Sequence, residues 1–147
     1  MKSELHALCI ELAEGKFNAL QNELNSMCDA VQTESKSTAG DKHETGRAMI
    51  HLEQEKLQKQ LAEAKAVVVE LEQIKPEQTF ESVQKGALVE TDKATFYIAV
   101  GIGKQTVEGS DVFVISSQSP IAKQMLGKRS GESFDMNGME YGITAVQ

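Results

Sequence analysis

Asp41 and Glu44, two carboxylates three residues apart in the stretch TESKSTAGDKHETGRAM (residues 33–49), are the side chains best placed to do chemistry. One reading is structural: Asp41 as N-cap and Glu44 at the third helical position form a capping box that opens a helix and contributes about 1 kcal/mol. The other is chemical. Two carboxylates at that spacing can share a hard divalent cation such as Mg²⁺, which proteins usually hold with one or two carboxylates while waters and a partner's phosphates fill the remaining positions. Such an incomplete site works only if a partner supplies the rest. Both readings use the same two residues.

Other reactive residue types read more plainly. His43, Glu44 and His51 lack the spacing of a helical zinc pair and have no cysteine nearby, and Lys42 and Arg47 add positive charge, so they read as solvated residues. His43, beside two acids, is a candidate for titration near neutral pH. Cys9 and Cys28 stand 19 residues apart in one helical pattern. That is about 28 Å at roughly 1.5 Å per residue, too far for a disulfide. They read as reduced packing thiols of a cytosolic protein. Ser116, Ser117 and Ser119 precede a short helix and read as turn and cap residues, and Gly101-Ile102-Gly103-Lys104 reads as a hairpin turn rather than a nucleotide loop. Of Phe96, Tyr97, Phe113, Phe134 and Tyr141, at least half are assigned to the core.

The elements that must position Asp41 and Glu44 follow from periodicity. Ile10, Ala13, Phe17, Leu20, Leu24, Met27 and Val31 advance in alternating steps of three and four, and Leu57, Leu61, Ala64, Val68 and Leu71 repeat the alternation with Glu53, Glu55, Lys56, Lys59 and Glu63 outside. Neither narrow-faced helix is stable alone. If they fold back on each other, Leu20 faces Leu61, Leu24 faces Leu57, Phe17 faces Ala64, Ala13 faces Val68 and Ile10 faces Leu71, and the two numbers of every pair add to 81. The turn then centres on Gly40 and Asp41. Arms of roughly 27 to 30 residues carry it about 40 to 45 Å from their base. Parallel dimerisation through the same seams is the alternative.

Pro76 stops the second helix, and the period then shortens. Segments 86–92, 94–101, 110–118, 132–138 and 139–146 are rich in β-branched and aromatic residues and are separated by Asp92-Lys93, Glu108-Gly109 and the strong hairpin signal Asn137-Gly138. Between the third and fourth of them, Ser119 as cap, Pro120 in the first turn and Gly127 at the end mark a short helix. The expected class is α+β: a long antiparallel two-helix coiled coil over 1–75 with its tip near 37–45, then a small antiparallel sheet with one short helix over 76–147.

Bulk properties agree with that plan. A chain of 147 residues excludes a large two-lobed enzyme. The net charge of −7, spread over both halves, argues against nonspecific nucleic-acid binding and favours a protein partner. Glu4, His6 and Glu11 interrupt any signal-peptide run, and no stretch approaches 18 apolar residues, so a cytoplasmic location without membrane contact is expected.

Gly40-Asp41-Lys42-His43-Glu44-Thr45 at the end of the helical arms, followed by a domain carrying Ser119-Pro120-Ile121-Ala122, Leu126-Gly127-Lys128 and Gly131-Glu132, resembles the Gre transcript cleavage factors of bacterial RNA polymerase over nearly the whole chain. That family has Gly-Asp-Leu-x-Glu-Asn at the tip, so Lys42 and Thr45 are this chain's own. The resemblance implies an FKBP-like fold for the second domain and docking of that domain at the rim of the polymerase secondary channel. It also implies insertion of the coiled-coil tip, with Asp41 and Glu44 assisting the polymerase active site as partial ligands of a catalytic Mg²⁺. The factor so implied stimulates cleavage of backtracked RNA, meets the nascent RNA 3′ end only indirectly, reads no DNA sequence and is no independent enzyme. A channel-binding regulator without cleavage activity, and a coiled-coil adaptor, are the alternative functions.

Overall fold

The computed structural model describes residues 1–35 and 42–147, with side chains over 1–29 and 46–147. Two helices come first, α1 (Lys2–Ser35) and α2 (Lys42–Glu72). No proline falls inside either. α2 ends where Gln73 N donates to Val69 O at 3.2 Å and Ile74 N to Leu71 O at 3.1 Å, a tightened last turn just ahead of Pro76.

Contacts divide the chain into two compact units, Glu11–Val68 and a discontinuous one built from Met1–Ile10 and Val69–Gln147. Within the helical unit the expected seam is the buried face: Ala13, Leu24, Leu57, Ala64 and Val68 are buried, and Phe17, Leu20, Met27 and Leu61 are half-buried. Two cross-helix contacts set the direction. Lys65 Nζ stands 5.5 Å from the centroid of the Phe17 ring, and Gln54 Nε2 donates to Cys28 Sγ at 3.6 Å. As the number rises on α1 it falls on α2, so the helices pair antiparallel within one chain. Both pairs add to 82, one step from the seam sum of 81, because Lys65 and Cys28 are each next to a seam residue.

The second unit holds a six-stranded sheet in the order β3-β4-β2-β1-β6-β5. Its strands are β1 (Leu88–Thr91), β2 (Thr95–Ala99), β3 (Gly103–Val107), β4 (Ser110–Ser116), β5 (Ser133–Met136) and β6 (Met139–Val146), with α3 (Pro120–Met125) between β4 and β5. Five of the strands match expectation; β3 does not, since Gly103-Lys104 begins a strand and not a hairpin turn. Nor is the sheet wholly antiparallel. β2 and β4 run parallel, with Phe96 beside Phe113 and Ile98 beside Ile115. The cause is local. Glu108 and Gly109, at φ 53° and 78°, form the tight turn that folds β4 back on β3. Residues 100–102 carry the chain past one strand position, about 10 Å, and β4 lies between β3 and β2.

Alternation gives the sheet two apolar faces. On one, Val89, Phe96, Ile98, Phe134 and Ile143 pack with Ala122 and Met125 of α3. On the other, Leu88, Tyr97, Val112 and Val114 are fully buried, as are Leu5 and Cys9 of α1 and Leu71 of α2 in the same unit. Phe96, Tyr97 and Phe134 are core residues, Tyr141 is half-buried and Phe113 is exposed, so the aromatics divide as expected.

Candidate functional site

The backbone of α2 begins at Lys42, directly after Asp41. Asp41 itself lies outside the described residues, as do Gly40 and the side chains of Glu44, His43 and Val31. The elements on either side of them in the sequence are described: α1 up to Ser35 and the backbone of α2 from Lys42, paired antiparallel. Beyond them on α2, His51 is exposed, its Nδ1 3.2 Å from Gln54 Oε1. Among the described residues no group of three or more His, Cys, Asp or Glu side chains is arranged to hold a metal ion, and no helix is long and apolar enough to cross a membrane.

The motif segment in the second unit is built from its sequence upward. Ser119 caps α3: its Oγ accepts from Ala122 N at 3.4 Å and donates to Ser116 O at 2.7 Å. Pro120 occupies the first turn, where a missing N–H costs nothing. Leu126 N closes the helix on Ala122 O at 2.9 Å, and Gly127 turns the chain away at φ 83°. Gly127 N and Lys128 O then bond Val83 O and Val83 N, both at 2.8 Å, fixing Leu126-Gly127-Lys128 against the strand-like segment at Ser82. Ser116 and Ser119 are thus turn and cap residues. The first two parts of the motif thus form the start and the exit of a helix whose buried residues are Ala122 and Met125.

The cysteines part company. Cys9 is buried, and burial pushes its thiol up to about 11, which makes it an inert packing group. Cys28 is exposed and does not pack as expected, because it follows the seam residue Met27 and points off the seam.

Two buried polar residues escaped the sequence reading. His6 is 4% exposed, and its Nδ1 lies 2.8 Å from the Tyr97 hydroxyl. Burial lowers its imidazole below the ordinary value; a hydrogen bond to the Leu71 backbone and the charge of Glu77 oppose that shift, and Lys2 reinforces it. Tyr97 is raised by the same burial and by the neighbouring Cys9. Lys2, 7% exposed, donates to Gln78 O at 2.7 Å and Gln147 O at 3.1 Å. The available signal was the phase of Leu5, Cys9 and Ala13, which extends the apolar face to the start of α1 and puts His6 beside it.

No protein-family model matches the chain, and no curated protein matches it either. Among solved structures, it is similar to the GreA factor homolog 1 (Gfh1) protein of Thermus thermophilus, at 17% identity over 94% of each chain with a TM-score of 0.34. It is also similar to a structure of the transcription factor Gfh1, at 18% identity over 94% of this chain and 92% of the other with a TM-score of 0.36. Thermus aquaticus Gfh1 is a third, at 20% identity over 90% and 94% with a TM-score of 0.35. Likeness at this level gives no residue of this chain a role.

Proposed function

We propose that the chain is a Gre-type transcription factor that binds bacterial RNA polymerase, inserts its helical pair into the secondary channel and stimulates cleavage of backtracked RNA. The observation that supports the reading is the occurrence of two motifs, each on the kind of element it calls for. Ser119-Pro120-Ile121-Ala122 and Leu126-Gly127-Lys128 form the cap, first turn and exit of α3, while α1 and α2 pair antiparallel on either side of Gly40-Asp41 in the sequence. Asp41 and Glu44 offer hard oxygen donors, which suit Mg²⁺. When bound, the metal supplies charge neutralisation and an activated water. The chain contributes two carboxylates and the helical pair that presents them, and the polymerase contributes the remaining ligands.

A second reading, a channel-binding regulator without cleavage activity, draws on Lys42, a cation next to Asp41 where the Gre pattern has an apolar residue. One assay separates the two. In purified backtracked elongation complexes, the chain accelerates RNA shortening and Asp41→Asn with Glu44→Gln abolishes the acceleration while binding persists. Binding with no shortening establishes the regulator instead, and absence of polymerase binding leaves a coiled-coil adaptor.

A further inference from the structure

Past the end of α2, Gln73, Ile74, Lys75, Gln78, Phe80 and Lys85 line an open pocket of about 270 Å³. Its walls are fixed. Gln78 N donates to Lys75 O at 3.1 Å, and Gln78 O accepts from Lys2 Nζ at 2.7 Å. The same ammonium stands 4.9 Å from the centroid of the Phe80 ring. Gly86, at φ 95°, passes so close that a Cβ there would come within 3.3 Å of both the Phe80 ring and Ile74 Cγ2. The floor is therefore apolar and rigid, and the rim carries two ammonium groups and two side-chain amides.

Among the described residues no acid lines the pocket. Lys85 reaches Glu70 at 2.7 Å, but both side chains are exposed, and such pairs exchange readily for another anion. Lys75 has no ion pair among the described residues. In a chain of net charge −7, an apolar hollow whose charged rim residues are both cations selects a carboxylate at the end of a short hydrocarbon stem. The volume lies at or below the roughly 300–1,000 Å³ of sites that enclose a free small molecule. It suits a single side chain carried in on a larger surface.

We propose that this pocket receives a glutamate or aspartate side chain of a protein partner, its methylenes on Ile74 and Phe80 and its carboxylate held by Lys75 and Lys85. The assignment does not depend on the Gre-type reading. It is tested on the full ¹⁵N-labelled chain by titration with hexaglutamate, hexaglutamine and free glutamate. Hexaglutamate shifts the signals of Gln73, Lys75, Gln78 and Lys85 saturably, hexaglutamine does not, and free glutamate binds at least tenfold more weakly than the peptide. Lys75→Glu with Lys85→Gln weakens the peptide at least tenfold and leaves the remaining spectrum in place, since both lysines are exposed. Shifts that are absent, scattered over the surface or unchanged in the variant overturn the proposal. Equal binding of free glutamate overturns it too, in favour of a small-molecule site.

Discussion

His6 Nδ1 and the Tyr97 hydroxyl meet at 2.8 Å in the interior of the sheet unit, joining residues 91 positions apart. Because burial lowers the imidazole, the folded chain holds His6 neutral where the unfolded chain protonates it. The stabilisation is complete above the unfolded value of 6.5 and declines as pH falls from there through the lower folded value. Urea midpoints should therefore drop between pH 7.5 and 5.5. His6→Gln should flatten that slope, and Tyr97→Phe, which strips the ring of its partner, should cost about 1–3 kcal/mol at pH 7.5.

Leu24 and Leu57 are both buried in the helical seam. Truncating either to Ala should destabilise that unit by about 2–5 kcal/mol in denaturant unfolding followed by circular dichroism. The register can be checked without energetics. In a Cys9→Ala, Gln54→Cys chain, a short bifunctional maleimide should link position 54 to Cys28 within one chain, and a product made only of linked dimers would contradict the antiparallel pairing.

Glu108 occupies a left-handed turn conformation at φ 53°, and its carboxylate raises Glu4 through a shared hydrogen bond and like charge. Glu108→Asn answers both, since Asn tolerates that conformation and carries no charge. It should raise the urea midpoint at pH 7. Its advantage should shrink on acidification, because a carboxyl raised in the folded state favours folding more as it takes up its proton.

Asp41 can be a cap, a metal ligand or both, and substitution separates these roles. Asn caps a helix about as well as Asp, whereas Ala does not. Asp41→Asn should leave helix content and stability unchanged while removing cleavage stimulation, and Asp41→Ala should add a loss of about 1 kcal/mol. If Asp41→Asn retains full stimulation, the acid serves only as a cap.

Much of the fold could be read from particular residues. The alternation Ala13-Phe17-Leu20-Leu24 names its own buried face, because a helix pairing through a narrow seam has few other ways to bury apolar surface. Asn137 and Gly138, at φ 53° and 79°, do what that dipeptide does in hairpins generally. β3 was unreadable for the converse reason. Gly103-Lys104-Gln105-Thr106-Val107 lies at the sheet edge with only Val107 buried, so it carries no alternation, and only the Glu108-Gly109 turn implied a strand before it. The parallel β2–β4 pair depends on which strand inserts between which, a non-local choice that local pattern does not encode. At the candidate site, spacing found Asp41 and Glu44 but could not rank cap against ligand, because the same carboxylates serve both.

The Lys2 ammonium on Gln147 O, together with the paired bonds between Leu88 and Gln147, closes the sheet unit with residues from both extremes of the sequence. Glu11–Val68 is in this sense an insertion within the sheet unit. On the ribosome, the Lys2 bond to Gln147 O can form only after all of Glu11–Val68 has been made.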